Sequence, residues 1–413
     1  MQPAGIYIAI PFCKAKCSFC NFASGVFAED RMQAYVDRVC NEICSAHQDA
    51  RRQGVSVPAQ FNSIYFGGGT PSLLPPGLVE QLFSVVRSQF NVLQAAEITV
   101  ECAPGQVSAE TLASFQANGM NRASFGVQSF VDAECAAVGR LHTAQDCHTA
   151  LRQMKAAGVD RLALDLIAGL PHQTESSWRY TVDQAITSGV EHISLYMLEV
   201  DEDSRLGREA IAGGTRYGAA RLPSDDDVAD WYASACGWLA EAGFAQYEIS
   251  NFAKVGGQSR HNRKYWERTS YLGFGLDAHS MLRTPAPQEA IRWANPDEMD
   301  AYRGTSLIQL SQPPAVPLAS QRTIDLVNQR QAFEESLFLG LRLVEGVDMN
   351  SLPASLTSEI LPSLADCEEA GLLTRTQSRL QLTSRGRMLS NEVFSRLLLP
   401  AERPASQPIL EFA

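Results

Sequence analysis

Cys13-Lys14-Ala15-Lys16-Cys17-Ser18-Phe19-Cys20 is the stretch that decides how this chain is read. It follows directly on the apolar run Ile6-Tyr7-Ile8-Ala9-Ile10, which ends at Pro11. That order predicts a strand delivering a loop of three cysteines at its tip. Thiolates are soft ligands, and clustered thiolates outside an oxidising compartment favour metal. A structural zinc site calls for four ligands, commonly in two close pairs. The other cysteines, at 40, 44, 102, 135, 147, 236 and 367, form no second pair of that kind. Cys40 and Cys44 share a helical spacing inside the apolar-periodic run 31–44 and read as buried thiols. Three thiolates suit a cubane iron–sulfur cluster with one iron open to a small ligand, because ordinary electron-carrying clusters fill all four positions with cysteine. Zinc and plain structural thiols stay as alternatives.

Composition bounds the rest. The chain has 413 residues, 45% hydrophobic and 19% charged, which suits a globular protein of two or three domains. The net charge of −12 makes sequence-independent binding of nucleic acid a poor fit. No basic leader precedes the first apolar run, and no apolar stretch is long enough to span a bilayer. Ten cysteines without an export signal point to a reducing cytoplasm.

Up to residue 245, short apolar runs alternate with longer amphipathic ones. Strands are expected at 6–10, 63–66, 97–100, 122–127, 161–167 and 192–198. Helices are expected at 30–53, 76–90, 109–118, 144–157, 174–188 and 225–242. This alternation predicts a parallel sheet with crossover helices, as a six-unit partial barrel or a doubly wound sheet. In either, ligands sit beyond the carboxyl ends of the strands. The residues there are Gly67-Gly68-Gly69-Thr70-Pro71, Glu101-Cys102-Ala103-Pro104, Gln128, Arg140 and Asp165-Leu166-Ile167-Ala168-Gly169-Leu170-Pro171. Consecutive glycines allow close backbone approach to a ligand, or simply a tight turn. Glu101 reads as an acceptor for a hydroxyl or ammonium, or as a rim salt bridge. Arg140 suits a carboxylate, or is a solvated terminal charge. Asp165 within an apolar strand needs a partner, structural or ligand.

The CxxxCxxC loop, with Phe19 before its last cysteine, resembles the radical S-adenosylmethionine (radical SAM) superfamily. The longer string Tyr7-x-x-x-Pro11-Phe12-Cys13 resembles its coproporphyrinogen III oxidase-like branch, which includes the HemW-type heme chaperones. The resemblance implies a partial (β/α)6 barrel over 1–245. It implies a [4Fe–4S] cluster on Cys13, Cys17 and Cys20, and S-adenosylmethionine held by Tyr7, Phe19, Gly68, Gly69, Thr70, Glu101, Gln128, Arg140 and Asp165. Two positions depart from the branch pattern: Ala9 stands where His is usual, and Ala103 where Asn or Asp is usual.

Beyond residue 245 the alternation stops. Ser259-Arg260-His261-Asn262-Arg263-Lys264-Tyr265-Trp266 is followed by Tyr271-Leu272-Gly273-Phe274-Gly275. A His beside aromatic rings can ligate heme iron, and a hydrogen-bonded loop His is the plainer reading. The pair H-N-x-x-Y-W and Y-x-G-x-G resembles the heme-chaperone members, which implies heme on His261, Tyr265 and Trp266 and delivery to an acceptor protein. The alternative is the oxidase itself, which decarboxylates propionates to vinyl groups. The oxidase usually carries a further cysteine where this chain has Phe22. Residues 246–320 are expected to be a heme-motif segment and linker, 321–398 a winged-helix-like α+β domain, and 399–413 a tail. No integral membrane segment is expected, and peripheral membrane contact stays open.

Overall fold

The computed structural model of the chain describes residues 2–286, 289–303 and 322–399. Six strand–helix units come first. They are β1 (Ala4–Ile10) and α1 (Asp30–Arg52), β2 (Phe61–Gly68) and α2 (Pro76–Gln89), β3 (Val92–Cys102) and α3 (Ala109–Ala117). Then follow β4 (Arg122–Gln128), α4 (Asp132–Ala137) and α5 (Ala144–Ala156), β5 (Arg161–Ala168) and α6 (Glu175–Thr187), and β6 (His192–Met197) with α7 (Arg205–Ile211) and α8 (Asp225–Glu241). All six expected strands and helices are present; β3 starts at Val92 rather than Glu97.

β1 to β6 pair in parallel and in strict sequence order. A doubly wound sheet reverses its order at a switch point. Here no reversal occurs, so successive right-handed crossovers all wind the same way, as in an unclosed barrel.

Strand alternation explains which side carries the core. In β1, Ile6, Ile8 and Ile10 are fully buried, with Tyr7 on the opposite, inner side. α1 presents Tyr35, Val36, Val39, Ile43 and Ala46 at the three- and four-residue spacing of a helix face packed on a sheet. Burial of each such side chain stabilises by about 1.5–3 kcal/mol. The Tyr35 hydroxyl donates to the Ala9 carbonyl at 2.7 Å and accepts from Leu276 N at 2.9 Å, tying α1 to β1 and to the turn at 275–277. Thr143 with Asp146, and Ser224 with Asp227, form capping boxes that start α5 and α8.

The expected break at 245 is not a domain boundary. Two compact units form, Met1–Val327 and Asn328–Ala413. The described residues between 245 and 327 extend the first sheet. β7 (Ala245–Gln246) and β8 (Asn251–Ala253) add antiparallel beyond β6. Helix α9 (Arg260–Trp266) then precedes β9 (Tyr271–Phe274), which lies parallel beside β1. β10 (His279–Arg283), β11 (Ala290–Ala294), α10 (Met299–Arg303) and β12 (Thr323–Val327) follow, the strands continuing antiparallel. The expected heme-motif segment and linker over 246–320 therefore carries strands and short helices in its described part; residues 304–320 lie outside the described residues.

In the second unit, helices at Gln329–Arg342, Ala354–Glu359 and Leu361–Glu369 accompany a small antiparallel sheet whose hairpin pairs Leu373–Thr376 with Arg379–Leu382. After the hairpin, two short helices, Ser384–Met388 and Ser390–Arg396, meet at Leu389. The expected tail lies outside the described residues from position 400.

Candidate functional site

The cysteine loop leaves β1 and is fastened on both sides. Cys13 N donates to Gly25 O at 2.9 Å, and Gly25 N to Pro11 O at 2.9 Å. Ser18 N donates to Val138 O at 3.0 Å, and Leu206 N to Ser18 O at 2.8 Å. Phe19 packs against the buried group Val138, Ile167, Leu170 and Leu206. The loop is thus held by the segments after β4 and β6. The Gly-rich loop after β2 supports it from beneath. Gly69 N donates to Ile10 O and Thr70 N to Phe12 O, both at 2.8 Å. A Cβ on Gly69 would stand 2.8 Å from Phe12 O and Pro11 C. Close approach of backbone to the cysteine loop is what this glycine serves.

One cavity of about 490 Å³ brings the expected residues together. Cys13, Cys17, Cys20 and Phe19 line its mouth; Gly68, Gly69, Thr70, Glu101, Gln128, Arg140 and Asp165 line its wall. Tyr7 is not among the lining residues; its ring stacks on Tyr65 behind them, with centroids 6.0 Å apart. The missing polar group at Ala103 leaves a buried methyl on the wall.

The side chains of Glu101, Asp165 and Arg140 are each held by partners on the wall, and that of Gln128 is not. Glu101 accepts from the Tyr65 hydroxyl at 2.8 Å and from Gly68 N at 3.1 Å. Burial pushes its carboxyl up to about 7, against these bonds. Asp165 is pushed up to about 6 by burial, opposed by hydrogen bonds with Ser194 and Ser124 and by the charges of Arg122 and Arg140. Arg140 donates to Gly126 O and stands 3.5 Å from Cys17 Sγ, leaving its Nε unpartnered. Gln128 ends β4 with φ +70°, at a register irregularity, and its buried Oε1 has no partner. A strained non-glycine residue with an orphaned polar atom fits a wall completed by a ligand.

The thiols carry matching polish. Thr70 Oγ1 lies 3.9 Å from Cys13 Sγ, and Ser24 Oγ 3.9 Å from Cys20 Sγ. Burial raises the Cys13 thiol, with hydroxyl hydrogen bonds opposing. Among the described residues no three His, Cys, Asp or Glu side chains converge on a single ion. A cubane spreads its thiolates over separate irons, so single-ion convergence is not what it needs. Three loop thiols, orphaned donors and acceptors, and a hydroxyl-rich wall fit a cluster with a polar small-molecule ligand.

The expected heme residues sit elsewhere. α9 lies against β1 and β2 on their inner side, where Gly5 leaves it room: a Cβ there would stand 2.8 Å from Lys264 Cδ and 3.1 Å from the His261 ring. His261 is 1% exposed. Its Nδ1 is 2.9 Å from Ser63 Oγ and its Nε2 is 2.9 Å from the Tyr265 hydroxyl. Burial, then the nearby Lys264 charge, drop its pKa to about 3. The expectation that His261 offers a nitrogen to heme iron does not fit this arrangement, because both nitrogens are engaged in the interior. Tyr265 packs edge-on to Tyr271 at 4.7 Å and to Trp266 at 6.4 Å. Ser259 and Asn262 of the same segment line the cavity floor.

Several cavity residues escaped the sequence reading: Tyr65, Ser124, Ser194, Tyr196, Arg122 and His192. The signal was present in the period of two. Ser63 and Tyr65, Thr99 and Glu101, Ser194 and Tyr196 each mark a polar inner side on an otherwise apolar strand.

The sheet order, the three-cysteine mouth and the polar wall define a radical SAM protein. The radical SAM superfamily pattern matches residues 7–185, and that of the HemN C-terminal domain matches residues 327–389. The heme chaperone HemW of Lactococcus lactis is 30% identical, over 96% of this chain and 98% of that one. HemW of Synechocystis is 33% identical, over 90% and 85%. The solved structure of the coproporphyrinogen III oxidase HemN of Escherichia coli matches with a TM-score of 0.78 at 22% identity, over 96% and 90%, a likeness of fold. The chain belongs to the HemW family of the radical SAM superfamily.

Proposed function

We propose that this chain is a cytoplasmic heme chaperone that carries a [4Fe–4S] cluster and S-adenosylmethionine, binds heme and passes it to an acceptor protein. Similarity to heme chaperones along nearly the whole chain carries this reading. Cys13, Cys17 and Cys20 would hold the cluster. Gly68, Gly69, Thr70, Glu101, Gln128, Arg140 and Asp165 would hold the cofactor, with Phe19 wedging the loop and Tyr7 backing Tyr65. When bound, cluster and cofactor supply one-electron chemistry. The chain's own part is to orient them. Arg140 and Gln128 offer the unpartnered polar atoms, and Glu101 and Asp165 offer carboxyls poised near neutrality. No helix among the described residues is long and apolar enough to cross a membrane.

The second reading, an oxygen-independent coproporphyrinogen III oxidase, is favoured by the shared fold. One anaerobic experiment separates the two. The reconstituted protein is given reductant, S-adenosylmethionine and coproporphyrinogen III, with a parallel heme titration. Heme binding without porphyrin conversion supports the chaperone; propionate decarboxylation moves the chain to the oxidase reading.

A further inference from the structure

We infer that His142, which stands outside the cavity lining, is a positioning residue: it clamps a strained turn after β4 and so aims Gln128 at the cofactor beside Arg140. This rests on the reading of the cavity as the S-adenosylmethionine site. β4 and β5 pair residue for residue up to Gly126 with Asp165; Gln128 then pairs with Leu166, which leaves Val127 as an extra residue. Ser129 N donates back to Val127 O at 2.9 Å, around Gln128 at φ +70°. A three-residue turn of this hand is rare and strained. Such backbone persists only where its surroundings over-determine it.

The clamp comes from the segment after α4. His142 Nε2 lies 3.0 Å from Val127 O, and because a carbonyl only accepts, the ring donates. Val127 O already has Ser129 N, so the second bond holds the turn in place rather than satisfying an orphan. The Cys135 thiol donates to Ser129 O at 3.2 Å, so the carbonyls of both residues flanking Gln128 are held. His142 is buried, two residues after Arg140, whose N donates to Cys135 O at 3.0 Å, and one before Thr143, which caps α5. One short segment thus sets two cavity side chains. They converge over Gly126, where a Cβ would stand 2.9 Å from Gln128 Nε2 and 3.2 Å from Arg140 Nη2. Held this way, the Gln128 amide and the Arg140 guanidinium meet the cofactor as a pair.

The test uses the full chain, cluster-reconstituted without oxygen and titrated with S-adenosylmethionine by calorimetry. The paramagnetic resonance of the reduced cluster is recorded before and after the cofactor is added. His142→Leu fills the space and removes the donor. Cofactor affinity should fall about tenfold at unchanged iron content, and the spectral change on adding cofactor should shrink. His142→Gln, whose amide nitrogen can stand where Nε2 stood, should restore both. His142→Asn, whose amide falls short of Val127 O, should lose as leucine does and replaces it if the leucine variant does not fold. Gln128→Gly takes φ +70° without strain and has no side chain to aim, so His142→Leu should cost it nothing further. Wild-type affinity in folded His142→Leu overturns the role. So does a His142→Gln as weak as leucine, or a loss that adds in full to that of Gln128→Gly. Cluster-loaded wild type that binds no S-adenosylmethionine would instead bring down the cofactor reading itself.

Discussion

Arg140 holds a guanidinium nitrogen 3.5 Å from the sulfur of Cys17, across 123 positions of sequence, while its other arm donates to the Gly126 carbonyl. A cation and an N–H donor at a cluster thiolate favour the reduced, more negative state. Arg140→Met should therefore make the reconstituted cluster harder to reduce. A charged hydrogen bond of about 1.5–3 kcal/mol corresponds to a one-electron shift of about 65–130 mV. A potentiometric titration followed by electron paramagnetic resonance reads this directly. An unmoved potential would mean that Arg140 turns away once the cluster is in place.

Gly69→Ala tests the contact between the glycine loop and the base of the cysteine loop. Its added methyl meets backbone at 2.8–2.9 Å on three atoms, and backbone cannot swing aside as a side-chain end can. Overpacking of this kind costs about 1–3 kcal/mol, here concentrated on the loop that presents the thiols. Iron and sulfide content after reconstitution should fall. Gly77→Ala, in α2 with nothing within 4 Å of the new methyl, is the control and should keep full iron content.

A buried ionic cluster closes the first unit at its other edge. Arg322 bonds Glu42 at 2.6 Å and Asp49 at 3.1 Å, with side chains 5%, 0% and 8% exposed. Glu42 also accepts from the Tyr302 hydroxyl and from Gly275 N. Removing one partner of a buried pair leaves a charge uncompensated. Arg322→Met should lower stability in urea by about 3–5 kcal/mol. Adding Glu42→Gln should recover part of it. Additive losses in the double variant would show that the charges do not couple.

The half of the fold that carries the thiols was legible because its signals are local. Apolar strand runs, capped amphipathic helices and three cysteines in eight residues each speak within a short window. β9 returning beside β1, and Arg322 reaching α1 from 280 residues away, depend on pairings no window contains. Glu101 and Asp165 could be named because each ends or interrupts an apolar strand; Gln128 and Arg140 could be named because the stretch after the fourth strand resembles the branch's cofactor-contacting positions. His261 was read outward because a His among aromatics looks the same in sequence whether its ring faces iron or Ser63. Gly5 makes the difference: its missing side chain lets α9 settle onto β1.

Glu101 gives the site a pH signature. Its carboxyl ordinarily ionises near 4.5 and is raised to about 7 in the fold. Between those values the unfolded chain has released a proton that the folded chain keeps. The contribution is therefore present below pH 4.5 and lost as pH rises through 7. Glu101→Gln removes this loss while still accepting from Tyr65, so the cluster-free variant should gain on wild type as pH climbs from 5 to 8. Asp165, raised to about 6, acts in the same direction and leaves a residual slope. Melting temperatures across that range decide the point; parallel curves for variant and wild type would place Glu101 in a wetter setting.

His261 produces the opposite slope. Its ring ordinarily titrates near 6.5 and is lowered to about 3 in the fold. In that interval the unfolded chain binds the extra proton, so stability is present above 6.5 and is lost as pH falls toward 3. Acidification from pH 7 to 5 should cost wild type about 2 kcal/mol through this group. His142, lowered to about 4 by burial and then by Arg140, adds to the same trend. His261→Gln should flatten the acid side of the urea-stability profile by about that amount. His261→Leu adds a second effect: Ser63 and Tyr265 lose their partner in the interior, at about 1–3 kcal/mol for each hydroxyl. A ring that served chiefly to meet ligand at the surface would show neither the flattened profile nor the larger loss in leucine than in glutamine.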